Sequence, residues 1–284
     1  MFKIGTLADW FGAGLIEGIR ESERCGASGV QIYALNDLDP RTASADFIAE
    51  VKKTARDCHQ EITALCGELG GFGLEKREEH AEKLAYLRKV VELACELDCR
   101  VITTHIGAIP AEKSHPRYDV MLSACREIGR YAHEHGVTIA VETGPEPIRT
   151  LRGLVDDCGC GIGINYDPAN LVMVGTDDEV QGVFDGGDAI VHTHAKDGIC
   201  VKKLSSGEEF YHGFAVGGLE WTRLGEVCRE TPLGEGSVRW TEYLNALKAI
   251  GYDGYLTIER EVKNGAEDIR MAVRFLQEMI AKID

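Results

Sequence analysis

The sequence predicts a single closed (β/α)8 barrel over residues 1–284, on three observations. Short strand-like runs alternate with amphipathic helical segments from one end to the other. Eight such runs in 284 residues match the size of a closed barrel better than that of an open doubly wound sheet. The segment after the first run, Thr6-Leu-Ala-Asp-Trp10, also lacks the glycines that a dinucleotide-binding turn places there.

In chain order the strand candidates are Lys3–Trp10, Gly29–Leu35, Ile62–Leu69, Arg100–Gly107, Val137–Gly144, Ile162–Asn170, Ile190–Asp197 and Tyr255–Glu261. Amphipathic stretches fall between them. In Lys76–Leu97 the apolar Leu84, Leu87, Val91, Leu93 and Ala94 recur near helical spacing, and Asp119–His135 reads the same way. His135-Gly-Val137 and Gly251-Tyr-Asp-Gly254 put glycine where a helix ends and the next strand begins. Connections this short imply parallel strands with right-handed crossovers. No composition break suggests a second domain. The one irregular stretch, Gly198–Gly218, holds Gly207, Gly213, Gly217 and Gly218, a pattern shared by functional lids and mobile surface loops.

Composition narrows the function. Hydrophobic residues make up 44% and charged residues 27%, as in a folded globular protein. The balance of 31 basic against 47 acidic residues gives a net charge of −16, which repels phosphate backbones and favours small or neutral ligands over nucleic acid. No apolar run reaches the ~18 residues a membrane span needs. The start, MFKIGTLADW, lacks the basic and apolar regions of an export signal, so the expected location is the cytoplasm. The ten cysteines then read as reduced, small core residues. Cys158-Gly-Cys160 has the wrong spacing for a zinc ribbon and no second pair.

Active sites of such barrels gather at the carboxyl ends of the strands. There the sequence offers Glu142, Asp167, His194 and Glu259 on four successive strands. Alternation along a strand turns Val141, Val191 and Ile258 toward the helices, and Glu142, His194 and Glu259 toward the axis. Three carboxylates and a histidine meeting in a barrel mouth repel one another unless a positive charge sits between them. One divalent ion answers this. Oxygen-rich ligation with one nitrogen suits Mn2+, Mg2+ or Co2+, with Zn2+ also compatible.

These residues carry a resemblance. Val141-Glu142, Asp167-Pro-Ala-Asn170, His192-Thr-His194-Ala-Lys-Asp197, Gly234-Glu-Gly236 and Gly251-Tyr-Asp-Gly-Tyr-Leu-Thr-Ile-Glu259 resemble the xylose isomerase-like TIM-barrel superfamily. That group includes D-tagatose 3-epimerase, inosose dehydratase and, more distantly, endonuclease IV. The resemblance covers essentially the whole chain. By motif position it implies Glu142, Asp167, His194 and Glu259 as metal ligands, with Glu142 and Glu259 also transferring protons. It further implies homo-oligomeric assembly.

Such double duty is chemically reasonable. Removing a proton beside a ketone needs a base at the carbon and an electrophile on the oxygen, or the enediolate is too high in energy. A metal chelated by adjacent sugar oxygens is that electrophile. Return of the proton to the opposite face gives epimerisation, and return to the neighbouring carbon gives aldose–ketose isomerisation. Residue types do not separate the two.

Other residues face the same mouth. His105 and Glu68 correspond to positions that touch substrate in the family, although a strand histidine also serves as a structural residue. Lys196 can hydrogen-bond a hydroxyl or neutralise the acidic mouth, and Trp10 can stack on a sugar or plug the barrel wall. His192 lies about 6.6–7 Å from His194 along the strand, which assigns it a buried supporting role. Asn170 stands where the epimerases carry histidine, which places substrate contacts in question rather than the metal. Their arginine after the strand-seven histidine is also missing, with Lys196, Lys202 and Lys203 as substitutes.

The alternative on the same scaffold is a dehydratase, with His105 or Lys196 as the acid for a leaving hydroxyl. Asn170 and the net charge of −16 argue against an endonuclease IV-like phosphodiesterase. A silent sugar-binding barrel would leave Glu142 and Glu259 uncompensated. Gly234-Glu-Gly236 brings backbone N–H groups suited to phosphate but also a negative charge, which favours an unphosphorylated polyol.

Overall fold

A computed structural model describes residues 1–215, 225–262 and 265–283. Short runs rich in β-branched residues form the strands β1 (Lys3–Leu7), β2 (Gly29–Tyr33), β3 (Glu61–Cys66), β4 (Val101–Thr104), β5 (Thr138–Glu142), β6 (Ile162–Tyr166) and β7 (Ile190–Ala195). Next come β8 (Asp197–Cys200) and β9 (Cys228–Thr231), which pair antiparallel with each other outside the barrel. Strand β10 (Tyr255–Ile258) returns to the axis. The closed order is β1-β10-β7-β6-β5-β4-β3-β2, parallel throughout, so the predicted (β/α)8 barrel is the fold.

The helices are α1 (Leu15–Cys25), α2 (Ala45–Asp57), α3 (His80–Glu96), α4 (Pro116–Glu134), α5 (Ile148–Cys158), α6 (Pro168–Val174), α7 (Gln181–Gly186), α8 (Gly207–Ala215), α9 (Trp240–Ala249) and α10 (Gly265–Ile283). Among the described residues no helix is long and apolar enough to cross a membrane. Outward-facing Val30, Ile32, Ile102, Val141, Ile164, Leu256 and Ile258 pack under this layer against side chains such as Leu87, Leu151 and Leu276. Each such burial contributes about 1.5–3 kcal/mol.

The barrel lumen is polar where many barrels are filled with branched apolar side chains. Gln31, Thr103, Asn165, His192 and Thr257 are buried there. Two one-residue register shifts, at Val30/Gln31 between β2 and β3 and at Ile164/Asn165 between β6 and β7, fall directly beside two of them. Such irregularities re-aim side chains near sites.

Strands end earlier than the sequence suggests. The first stops at Leu7, and Trp10 lies in a single 3-10 turn, Ala8–Phe11, packed on the core. Asp9 pins this turn by accepting the Tyr33 N–H at 3.0 Å. Trp10 therefore does not end a strand. The expected seventh strand is divided, with Lys196 between β7 and β8, and the irregular stretch from Gly198 contains the rest of β8 and the helix α8. Its residues 216–218 lie outside the described residues.

Asp197 explains the Gly234-Glu-Gly236 motif. Its fully buried carboxylate accepts N–H groups of Gly198 (2.8 Å), Gly234 (2.9 Å), Gly236 (3.2 Å) and Val238 (3.1 Å), and Trp240 Nε1 (2.9 Å). A Cβ on residue 236 would stand 2.0 Å from Asp197 Oδ1, so only glycine allows this approach. These N–H groups are committed to Asp197 rather than open to a phosphate. Asp197→Ala strands several buried donors at once and should cost about 3 kcal/mol or more in urea unfolding. A loss below about 1 kcal/mol would mean that other contacts hold the loop.

Candidate functional site

The strand ends bring Glu142, Asp167, His194 and Glu259 together, each offering one ligand atom within 4.8 Å of the others. Opposed ligands at ~2.0–2.4 Å from an ion stand ~4–4.8 Å apart, so this spacing can hold a metal ion. Glu142 ends β5 and His194 lies in β7. Asp167 follows β6 as the N-cap of α6, where its Oδ1 accepts the Ala169 and Asn170 N–H groups at 2.7 and 3.2 Å. Proline at the first helical position stops β6 there and turns the carboxylate inward. Glu259 follows β10, its N–H still bonded to Ala195 O at 3.3 Å.

Hydrogen bonds from beneath orient the cluster. His194 Nε2 donates to Gln31 Oε1 at 3.0 Å, and Gln31 Nε2 in turn donates to Thr103 Oγ1 at 2.9 Å. That leaves His194 Nδ1 facing Glu259 Oε2 (3.3 Å), Glu142 Oε1 (3.4 Å) and Asp167 Oδ2 (3.8 Å). His192 Nδ1 donates to Asn165 Oδ1 at 2.8 Å, and Thr257 Oγ1 lies 3.1 Å from its Nε2. Asn165 Nδ2 then donates to Glu142 Oε2 at 3.1 Å. His192 thus supports the site from beneath, its ring 5.7 Å from that of His194.

One atom is left over. Asp167 Oδ2 is buried and makes no hydrogen bond among the described residues. Burial opposes a charge on His194, yet the carboxylates of Glu259 and Glu142 outweigh it and hold the imidazole well above its usual pKa. Burial likewise pushes Glu259 up, but His194 and Lys196 overcome it and hold it well below the usual carboxylate range. Three carboxylates and one imidazole converging here form a donor set that could hold a metal ion.

A cavity of about 490 Å3 opens above it. Glu68, His105, Asn170 and Lys196 line it, and Trp10 does not. Lys196 Nζ donates to Glu259 Oε2 at 2.9 Å. Asn170 Nδ2 donates to Glu142 Oε1 (3.0 Å) and Thr143 O (3.1 Å), leaving its carbonyl oxygen for a ligand. His105 Nδ1 lies 3.4 Å from Glu68 and its Nε2 4.0 Å from Glu142. Burial disfavours its charge, but Glu142 and Glu68 prevail and raise it to about 10.

Sequence reasoning missed Gln31 and Asn165, although a lone amide inside an otherwise apolar strand, on the inward parity, was a readable signal. It also missed the pocket-lining Tyr33, Phe210, Tyr211, Glu230 and Glu261. Lys196 draws Glu261 down, but burial and the charges of Glu259 and Glu230 carry it up to about 7.

The chain as a whole is similar to known proteins. An uncharacterized protein of Methanocaldococcus jannaschii is 26% identical over 212 residues, covering 69% of this chain and 64% of that protein's length. The xylose isomerase domain protein of Planctomyces limnophilus superposes with a TM-score of 0.79 at 26% identity, covering 99% of this chain and 98% of that one. A D-tagatose 3-epimerase-like protein gives 0.74 at 19% identity over 100% of both chains. The zinc-bound IolI protein gives 0.76 at 16%, covering 100% of this chain and 99% of that one. The fold's neighbours thus include sugar epimerases and metal-bound barrels. The family model described as xylose isomerase-like TIM barrel matches residues 19–279, and the chain belongs to that family.

Proposed function

We propose that the chain is a divalent-metal-dependent sugar isomerase or epimerase, acting on an unphosphorylated ketose or related polyol by proton abstraction beside a carbonyl. The observation that carries this reading is a buried cluster of four ligand atoms in which Asp167 Oδ2 has no hydrogen bond among the described residues, its nearest cationic atom being His194 Nδ1 at 3.8 Å. Burying a carboxylate oxygen without a partner is costly unless something positive meets it. Glu142, Asp167, His194 and Glu259 would hold Mn2+, Mg2+ or Co2+, with Zn2+ also compatible. When bound, the ion supplies a Lewis acid for a carbonyl oxygen.

The protein's own groups do the rest. Glu142 and Glu259 are the outer members of an arc formed by β5, β6, β7 and β10, so they flank whatever lies over the cluster. One of the two takes the proton from carbon as carboxylate, and the other, entering the step as carboxylic acid, returns its proton to the opposite face; return to the neighbouring carbon also requires a proton exchange between the two substrate oxygens. Lys196, bonded to Glu259, keeps that carboxylate ionised and oriented. His105, Glu68 and the free carbonyl of Asn170 bind hydroxyls. Five carboxylates line the cavity, Glu68, Glu142, Glu230, Glu259 and Glu261, and they oppose a phosphorylated or other anionic substrate.

His105 favours a second reading, a dehydratase. It faces the cavity with the charges of Glu68 and Glu142 beside it and can hand a proton to a leaving hydroxyl. Incubation in deuterated water with ketoses, keto-inositols and sugar phosphates separates the cases by mass spectrometry. Deuterium bound to carbon at constant composition reports isomerisation or epimerisation, loss of water reports the dehydratase, and neither incorporation nor loss of water from any member overturns both.

Glu142→Gln and Glu259→Gln should each abolish incorporation while the thermal transition persists, since amide and carboxyl are nearly equal in size. Retained turnover in either removes that residue from the proton-transfer pair. Adding Mn2+ at a hundred times its dissociation constant should stabilise the protein by about 2.7 kcal/mol. No metal in the purified protein and no such stabilisation would defeat the metalloenzyme reading. Gln31→Leu removes the acceptor that holds His194 and should weaken Mn2+ binding about 10–100-fold by calorimetry.

A further inference from the structure

Helix α8 leaves the barrel after β7, yet its contacts lie across the mouth, on the loops that follow β3, β4 and β5. At its start Gly207 meets Pro145, where a Cβ would stand 1.8 Å from the Pro145 carbonyl oxygen. One turn later Tyr211 Oη donates to Gly71 O at 3.4 Å. His212 Nε2 donates to Glu75 at 2.9 Å, with its ring edge-on to Phe72 at 5.1 Å. Arg117, at the start of α4, makes a two-pronged contact with Glu208 at 2.9 and 2.8 Å and reaches Glu75 at 3.3 Å.

Glu75 is the centre of these contacts. Its side chain is only 6% exposed, and it also accepts the Ala108 N–H at 2.8 Å. Half-exposed pairs such as Arg117–Glu208 contribute little alone. A buried carboxylate that gathers a backbone N–H, a histidine and an arginine is different, because losing those partners leaves its charge uncompensated. Between the two ends of this strap, Phe210 and Tyr211 line the same cavity as Glu142 and Glu259, and the Tyr211 ring centroid is 6.5 Å from that of His105.

We propose that Phe210 and Tyr211 form an aromatic wall of the ligand site, and that Glu75 is the positioning residue that holds this wall over the carboxylate cluster. The wall faces a polar floor, which suits a polyol that lays its C–H face on a ring and turns its hydroxyls to the cluster. The ligand's identity rests on the function proposed above. The anchoring and the control of access do not.

Cys66 provides a probe that needs no ligand. It is buried and lines the cavity, whereas Cys99 and Cys125 are buried in the core and do not line it. Alkylation of the unliganded full chain by iodoacetamide, read by peptide mass spectrometry, should be at least tenfold faster at Cys66 in Glu75→Gln than in the unaltered protein. Glu208→Gln, on the exposed side of the strap, should show a smaller rise, and Cys99 and Cys125 should keep their rates in both variants. An unchanged Cys66 rate in both variants, or a rise shared by all three cysteines, would overturn the proposal. Should Glu75→Gln not fold, Glu208→Gln decides by the same readout. Absence of metal binding or deuterium exchange would leave this alkylation result standing, so the two proposals fail separately.

Discussion

Mutual repulsion among Glu142, Asp167 and Glu259 is the constraint on which the rest of the structure depends. Ligand atoms of all three, with His194, lie within 4.8 Å of one another and are buried. At ~4 Å and an effective dielectric of ~20, a bare carboxylate pair repels by about 4 kcal/mol, which His194 among the three acids and Lys196 on Glu259 offset in part. A flexible chain would relieve that by turning the side chains outward. Here each acid is tied to a strand end of a closed barrel, and strands in a closed barrel cannot splay individually. Part of the folding free energy held in the surrounding apolar layer therefore goes into keeping like charges together.

Holding them together is not sufficient, because the cluster also has to present the correct atoms. That is the task of the polar lumen. The sequence Thr103, Gln31, His194 and the sequence Thr257, His192, Asn165, Glu142 are two chains of hydrogen bonds that rise from beneath and end on cluster members. Asn165 is fixed because its Nδ2 meets a carboxylate, which only accepts, and Gln31 bridges His194 and Thr103. Apolar side chains would fill the lumen more cheaply than a buried polar network, which is costly wherever it is incomplete. The return is orientation: Nδ1 of His194 faces the carboxylates because Nε2 is already engaged. The register shifts beside Gln31 and Asn165 belong to the same device, since they re-aim the two amides on which both chains turn.

Much of this was legible in the sequence. Strand alternation and short glycine-bounded connections gave the closed barrel, and inward parity at strand ends brought Glu142, Asp167, His194 and Glu259 to one point, as the structure also has them. What misled was the assumption that a strand continues to the last extended-looking residue. Trp10 reads as a strand end because Leu7 and Ala8 are apolar, but Asp9 bonds to Tyr33 and forces a turn, which removes Trp10 from the mouth. Asp197 reads as part of a catalytic run, yet it binds donors from a segment that starts 37 residues later. Such contacts join positions far apart in the chain and leave no local period. Phe210 and Tyr211 were illegible for the same reason: nothing near them in sequence places them over His105.

The excursion after β7 shows how one fold divides its labour. A rigid barrel suits a cluster of repelling charges, since any loosening there would scatter the ligands. The cavity wall over that cluster is built from a different part of the chain. Locating that wall on α8 keeps the two on separate elements. Its anchors, Glu75, Arg117 and the Gly71 carbonyl, lie on loops and a helix end rather than on strands, and among the described residues neither Glu75 nor Arg117 hydrogen-bonds to Glu142, Asp167, His194 or Glu259. The wall can therefore vary in sequence or position without disturbing the lumen network beneath the cluster. In this barrel the carboxylate cluster stands at the strand ends, and the cavity above it is lined in part by a helix whose contacts lie on the other side of the mouth.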